Sequence, residues 1–375
     1  MPPFVAEVDL DAIRSNVAEL RRRAGSAAVM AVVKADGYGH GMVPSARTAV
    51  EAGASWLGVA FIDEALALRA AGVDVPILAW LLDQHADMAG AVATDVDLSV
   101  GAEWVLDAVS GAASDVGRTA RIHLKADTGL ARGGAYGADW PALVEAAAKQ
   151  EADGLVDVVG IWSHFSHADP QHPTIERQRS AFVEALAVAA KAGLQPQVRH
   201  LANSAAALML PQTHFDLVRP GVSVYGLSPS PQAGTAAELG LRPAMRLRAP
   251  VAQVKTVAAG QGVSYGHRYT TTAPTTLALV PIGYADGVPR HATNVGPVQI
   301  NGKRYVVSGT VCMDQFVVDV GVDAVAVGDD VVLFGPGDDG EPTADDWAEA
   351  IGTINYEIVT RIGPRVPRVY LGVAP

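Results

Sequence analysis

An apolar run, Val29 to Val33, ends in Lys34 and passes at once into a glycine-rich turn, Ala35-Asp36-Gly37-Tyr38-Gly39-His40-Gly41. An ammonium at the end of a buried strand is costly unless it finds a partner or gives up its charge. A desolvated lysine amine is suited to forming a Schiff base with a carbonyl cofactor. The chain has six lysines: Lys34, Lys125, Lys149, Lys191, Lys255 and Lys303. Lys149 and Lys191 sit in alanine-rich helical patterns and read as solvated surface, so Lys34 stands out. Taken alone, a lysine that merely ends a strand and points to water explains the segment about as well.

Four more ionisable ends follow short β-branched runs. Lys125 leads into Asp127-Thr128-Gly129-Leu130-Ala131-Arg132. His164 ends a second run, and a third enters His200-Leu201-Ala202-Asn203-Ser204. The last ends at Arg219-Pro220-Gly221-Val222. A lone histidine in such a place is better read as a satisfied rim residue. Five ionisable ends on one rim, Lys34 included, are harder to dismiss. They need a scaffold that gathers strand ends.

The runs are Val29–Val33, Trp56–Ala60, Pro76–Trp80, Asp97–Gly101, Arg121–Lys125, Val156–Ser163, Gln197–Leu201 and Phe215–Arg219. Helical patterns lie between most of them: Val43–Ala52, Asp63–Ala71, Gln84–Ala93, Ala102–Gly111, Trp140–Gln150 and Ile175–Ala192. Eight such units predict an α/β fold, a (β/α)8 TIM-type barrel over residues 1–230, whose chemistry sits at the C-terminal strand ends. An open nucleotide-binding sheet lacks its fingerprint, since Gly37-x-Gly39-x-Gly41 has the wrong spacing. Leu227–Pro243 reads as a linker. Residues 231–375 read as a mostly β domain, with strands at Met245–Val257, Leu277–Ile282, Val298–Ile300, Tyr305–Thr310, Gln315–Val320 and Val331–Phe334. Thr343-x-x-Asp346 starts a short helix through Ile351. The first residues are expected to pair with this second domain.

The 375 residues carry a net charge of −12, which argues against nucleic acid and anionic membranes as partners. No apolar run approaches the ~20 residues of a membrane span. The N-terminus, Met1 to Asp9, has no basic region followed by an apolar one, so it does not read as a secretory signal. One cysteine, Cys312, excludes an intramolecular disulfide and fits a reducing cytoplasm. No Cys/His spacing suggests zinc, so no metal is expected.

The string Ala31-Val32-Val33-Lys34-Ala35-Asp36-Gly37-Tyr38-Gly39-His40-Gly41 resembles the cofactor-attachment segment of the alanine racemases. The other strand ends match that family in order. So do Gly262-Val263-Ser264-Tyr265-Gly266, Pro281-Ile282-Gly283-Tyr284-Ala285-Asp286-Gly287, Cys312-Met313-Asp314-Gln315 and Ile354-Asn355-Tyr356-Glu357, and the resemblance spans essentially the whole chain.

The resemblance implies pyridoxal 5'-phosphate bound to Lys34 and a two-base exchange of L-alanine and D-alanine. Lys34 would serve D-alanine and Tyr265 L-alanine, with His164 linking the tyrosine toward Arg219. A phenol is a poor base near neutrality, so Tyr265 needs that help. Arg219 would face the pyridine nitrogen, where a guanidinium only donates. Tyr38, His200, Asn203, Ser204, Gly221, Val222 and Tyr356 fall with the cofactor-binding positions. Arg132, Met313 and Tyr284 fall with the substrate-binding ones, and Lys125 matches a lysine that is often carbamylated. The family also implies a cytoplasmic homodimer with shared active sites, Tyr265, Tyr284 and Met313 coming from the partner subunit. Its product would feed peptidoglycan synthesis. A decarboxylase of the same architecture would carry a carboxylate where Arg219 stands. A cofactor-carrier barrel would not need the second domain.

Overall fold

The structure, a computed structural model, describes residues 4–167 and 172–372, so Met1–Pro3 of the N-terminal stretch lie outside it. It divides into two compact units. One comprises Ile13–Gly37 and Met42–Leu241; the other comprises Met1–Ala12, Tyr38–Gly41 and Arg242–Pro375.

The larger unit is a parallel barrel. After β1 (Val5–Asp9), which belongs to the other unit, come β2 (Ala28–Val32), β3 (Trp56–Val59), β4 (Ile77–Ala79) and β5 (Asp97–Val100). They are followed by β6 (Ala120–Lys125), β7 (Val156–Trp162), β8 (Val198–His200) and β9 (Leu217–Val218). The eight strands run in the order β8-β7-β6-β5-β4-β3-β2-β9, each on one of the eight expected runs. Asp216 N donates to Arg199 O at 3.0 Å and Arg219 N to Ala202 O at 2.9 Å, which brings β9 back beside β8. Met30, Trp56, Leu78, Val159 and Leu217 pack inside. Such strands bury both faces, which is why they read as continuous apolar runs.

Two helices depart from the sequence expectation. The one expected to stop at Gly111 runs over Glu103–Val116 and ends on Gly117 in the left-handed conformation. Its interior glycine costs little against the buried face of Val105, Leu106, Val109 and Ala113. The helix expected from Gln84 begins at Met88, because the Asp87 side chain accepts from Gly90 N and caps it there.

The second unit is mostly β. A six-stranded sheet runs in the order Lys303–Val306, Pro297–Ile300, Asp330–Phe334, Met245–Pro250, β1 and Arg368–Leu371. A three-stranded sheet joins Gln253–Val257, Thr275–Val280 and Phe316–Gly321. The strand expected as Met245–Val257 is therefore two strands in two sheets. Pro250 ends the first because it has no N–H to continue the ladder. The chain then crosses over, Val251 N donating to Asp329 O and Ala252 N to Leu279 O, both at 2.8 Å. The Thr343 capping box forms: Asp346 N donates to Thr343 Oγ1 at 3.1 Å and Thr343 N to Asp346 Oδ2 at 3.0 Å.

Candidate active site

Lys34 leaves β2 into a turn that no L-residue adopts cheaply. Ala35, Asp36, Gly37 and Tyr38 have φ of 53°, 52°, 61° and 53°, one turn of left-handed helix. Each non-glycine residue there costs about 1–2 kcal/mol. Hydrogen bonds hold the turn in place. Gly37 N donates to Val33 O at 2.9 Å, Ala35 N to Glu64 Oε1 at 2.6 Å and Met42 N to Asp36 Oδ1 at 2.8 Å. The same Glu64 carboxylate accepts from Ala60 N at 2.8 Å and Phe61 N at 3.1 Å. Glu64→Gln keeps the shape but loses at least one charge-assisted bond, so a loss of about 2–3 kcal/mol of stability is expected in urea unfolding. A glutamine variant with unchanged stability would mean that the carboxylate does not hold the turn.

The Lys34 amine lies 5.8 Å from the Trp80 ring centroid. Gly58 makes room for that indole, since a Cβ there would run into Trp80. Burial lowers the Lys34 pKa, the Arg132 charge lowers it further, and Glu64 opposes them. The amine is therefore neutral more of the time than a surface lysine.

Lys125 ends β6 with its Nζ 4.6 Å over the Trp162 ring. Burial, then the charges of Arg132 and Arg219, bring its pKa down to about 8. The loop that follows is gathered by Asp127, whose Oδ1 accepts from Gly129 N at 2.9 Å, Leu130 N at 3.0 Å and Ala131 N at 3.2 Å. That turn places Arg132 exposed, and its charge is felt at Lys34, Lys125 and His164.

Arg219 is buried, and its guanidinium carbon lies 4.8 Å over the same Trp162 ring. Its Nη2 donates to Ser163 O at 2.8 Å and Leu201 O at 3.3 Å, and lies 3.2 Å from His164 Nδ1. Its Nη1 lies 3.1 Å from His200 Nδ1. Burial lowers its pKa to about 9, which still leaves it cationic near neutrality. Burial and the Arg219 charge push both His164 and His200 well below the usual histidine range, so both rings are neutral. After β8, Asn203 Oδ1 caps the next helix through Ala206 N at 3.1 Å, and Gly221 N donates to Ser204 Oγ at 2.8 Å. Ser204 keeps its own hydrogen to donate elsewhere. Val222 opens a short 3-10 turn, Val222–Tyr225.

The barrel unit thus holds Lys34, Lys125, Arg132, His164, His200, Asn203, Ser204, Arg219, Gly221 and Val222. Tyr38, Tyr265, Tyr284, Met313 and Tyr356 belong to the other unit. There, the Tyr38 and Tyr356 rings lie 6.3 Å apart. Burial raises both phenols, Tyr356 to about 12, so both are hydrogen-bond donors. Tyr265 is 76% exposed and follows Ser264, whose φ of 60° is a strained value for a non-glycine residue. Ser264 Oγ donates to Thr310 O at 2.6 Å and Thr310 Oγ1 to Tyr265 O at 2.7 Å, which pins the turn. Tyr265, Ser264, Cys312 and Gln315 line an open depression of about 560 Å³. Tyr284 and Met313 are exposed side by side, because Tyr284 N donates to Cys312 O at 3.0 Å and Ala285 N to Met313 O at 2.9 Å. Gly283 is required there, since a Cβ would strike the Cys312 and Met313 carbonyls.

Two family models match the chain: alanine racemase, N-terminal domain, over residues 8–229, and alanine racemase, C-terminal domain, over residues 244–370. The chain belongs to the alanine racemase family. Membership makes it an isomerase. The alanine racemase of Frankia casuarinae is 64% identical over 367 residues, 98% of this chain and 96% of that one. The crystal structure of alanine racemase from D-cycloserine-producing Streptomyces lavendulae superposes with a TM-score of 0.99 at 58% identity, covering 100% of this chain and 98% of that one. A Bacillus anthracis alanine racemase with bound L-Ala-P matches with a TM-score of 0.90 at 37% identity, over 99% of this chain and 95% of that one.

Several residues around the site were not singled out in the sequence. Glu64 lies thirty positions from the lysine whose turn it holds, and no spacing links them. Trp162 underlies both Lys125 and Arg219 but reads as strand filler. His123 and Asp97 are fully buried inside the barrel, yet each sits within an otherwise ordinary strand run. An ionisable residue at an inward position of a barrel strand was the available signal. Among the described residues, no cluster of His, Cys, Asp and Glu could hold a metal ion, and no helix is long and apolar enough to cross a membrane.

Proposed function

We propose that the chain racemises alanine with pyridoxal 5'-phosphate carried on Lys34. The observation that carries this reading is the Lys34 amine, its pKa lowered, on a left-handed turn in the same barrel unit as the buried cation Arg219. The residues suit such a cofactor. A dianionic phosphate needs several donors; in the barrel unit the Ser204 hydroxyl and the Gly221–Val222 backbone can supply them, and the protonated Tyr38 and Tyr356 of the other unit are the further donors of the proposed reading. Both Nη groups of Arg219 are engaged within the protein, and its Nε–H has no acceptor among the described residues. It is a donor left for a ring nitrogen. His200 and Asn203 fix these donors from behind. When bound, the cofactor withdraws electrons from Cα and so makes its proton acidic.

The protein must then move that proton between two faces. Lys34, once free and neutral, takes it from D-alanine; Tyr265 takes it from L-alanine. His164 and Arg219 lie in hydrogen-bond reach of one another and would polarise the tyrosine. Arg132 offers the substrate carboxylate a cation. The Met313 backbone would lie near that carboxylate, and Tyr284 and Tyr356 would narrow the entrance and favour a small side chain, although a hydroxyl or methylene alters selectivity by only ~1–3 kcal/mol. The test is incubation with L-alanine in D₂O. D-alanine with deuterium at Cα supports the reading; carbon dioxide and an amine would replace it with a decarboxylase.

Lys125 is suited to carbamylation, because a neutral amine is the form that reacts with carbon dioxide. The product anion would relieve the repulsion among Lys125, Arg132 and Arg219. With ¹³C-bicarbonate, a carbamate carbon resonance is expected in the wild type and absent in Lys125→Arg; its absence from both would exclude the modification.

The barrel domain, residues 1–230, would hold the cofactor. Residues 231–375 would complete the active site of a second copy of the chain. The 76% exposure of Tyr265 supports this reading. Mixing inactive Lys34→Ala and Tyr265→Ala proteins should then restore activity, since one of the two shared sites in the mixed dimer is intact. No recovery despite proven subunit exchange would count against sharing. A cytoplasmic setting and a product destined for peptidoglycan complete the reading.

A further inference from the structure

Three ionisable side chains are sealed inside the barrel, from the C-terminal end of β8 down to the start of β5, in positions such barrels usually fill with Val, Ile or Leu. His123 on β6, His200 on β8 and Asp97 on β5 are each 0% exposed. Gly160 on β7 makes room for them, because a Cβ there would enter the His123 ring. They form one line. Arg219 Nη1 lies 3.1 Å from His200 Nδ1, and His200 Nε2 lies 2.8 Å from His123 Nδ1. His123 Nε2 lies 3.1 Å from Asp97 Oδ2. Arg121 closes the far end, its Nε 2.6 Å from Asp97 Oδ1 and its Nη2 3.3 Å from Oδ2.

The chemistry of the two ends sets the direction of every bond between them. A guanidinium only donates, so His200 Nδ1 accepts. Neutral His200 then carries its hydrogen on Nε2 and donates to His123 Nδ1. His123 in turn carries its hydrogen on Nε2 and donates to Asp97. The same count opposes a second hydrogen on His123: it would donate from Nδ1, push the His200 hydrogen onto Nδ1 and set it against the guanidinium. The buried carboxylate accepts at its end, so all the N–H dipoles point one way. Burial would raise the Asp97 carboxyl, but the hydrogen bonds from His123 and Arg121 overcome it and hold it below the usual carboxylate range.

We infer that Asp97, His123 and His200 are positioning residues for Arg219: the carboxylate fixes the tautomer of both rings, so that an imidazole acceptor is always presented to Nη1 and Nε stays free for the cofactor. The inference rests on the reading of Arg219 given above. The tautomers themselves do not depend on that reading.

Asp97→Asn tests the direction. The shorter contact from Arg121 Nε selects the amide oxygen at the Oδ1 position. The NH₂ group then faces His123 Nε2 and donates to it. Both rings must move their hydrogens to Nδ1, and His200 presents an N–H to a guanidinium N–H. ¹⁵N NMR of histidine-labelled protein without cofactor should find both rings Nε2-protonated in the wild type and both Nδ1-protonated in Asp97→Asn. In the holoenzyme, kcat should fall ~10- to 100-fold, as for groups that orient a ligand from behind, with KM little changed. Adding Arg121→Met frees the amide to turn its oxygen to His123, so tautomer and kcat should recover in part. A merely structural role predicts a further loss in the double variant, which would overturn the inference. Unchanged tautomers and kcat in Asp97→Asn would also overturn it. If that variant does not fold, the wild-type spectrum decides: a hydrogen on His200 Nδ1 refutes the chain. A protein that fails to racemise alanine but shows the expected tautomers would refute the functional reading and leave the chain intact.

Discussion

Lys34→Ala is expected to fold normally and to racemise alanine at least ~10⁴-fold more slowly in both directions, the loss typical of removing a group on which a catalytic unit depends. In the proposed reading the amine would both hold the cofactor and act as one of the two bases, so both roles would be lost together. Lys125 cannot stand in, because it ends a different strand and lies over Trp162. The fold should tolerate the change. Lys34 makes no side-chain hydrogen bond among the described residues, and the left-handed turn is held by backbone and carboxylate contacts that alanine leaves intact. Chiral chromatography of both reactions and a thermal melt check this. Activity above a few per cent with an unchanged melt would mean that another group removes the proton. The wild type should show a matching pH dependence. In the proposed reading the working form of Lys34 is the neutral amine, so D-alanine turnover should rise with pH. Burial and Arg132 place that rise below the range of an ordinary lysine. Removing the Arg132 charge should move it upward.

The barrel was legible because its signals are local and repeated. Each β-branched run became a strand, and each polar strand end became a rim residue, since a parallel barrel strand is apolar until it emerges. The candidate site residues were singled out for a different reason: short motifs around Lys34, Tyr265 and Arg219 resemble those of a known family. What stayed hidden depends on long-range pairing. Nothing near Pro250 shows that the chain leaves one sheet for another, because both halves have strand-like composition. The left-handed turn was only half visible. Glycines at 37, 39 and 41 marked a turn, but Ala35, Asp36 and Tyr38 carry no sign of positive φ, and part of what holds the turn is Glu64, from the first turn of the helix Ile62–Ala70. The line from Arg219 to Asp97 was invisible for the same reason, since its members come from four strands.

Arg219→Glu should lower kcat by ~10³-fold, comparable to the loss of a principal electrostatic group at an active site, while raising transamination above the wild-type level. The guanidinium donates and stays charged near neutrality, so it withholds a proton from a ring nitrogen placed against it. A carboxylate accepts, and so can hold a proton there, making the cofactor a stronger electron sink and giving the deprotonated substrate longer to be protonated at the wrong atom. The surroundings would reinforce the change. Arg219 is, after burial, the largest cause of the depressed pKa of both His164 and His200. With an anion in its place the charge at this position favours protonation instead, and both histidines bind protons more readily. His200 can then donate to the new carboxylate, which reverses the acceptor role it plays toward Nη1. Arg219→Lys separates charge from geometry. It keeps the cation but offers no planar fork for His164, Ser163 and His200 together, so racemisation should fall without added transamination. Equal transamination in the two variants would show that shape, and not the sign of charge at this position, keeps the reaction on course.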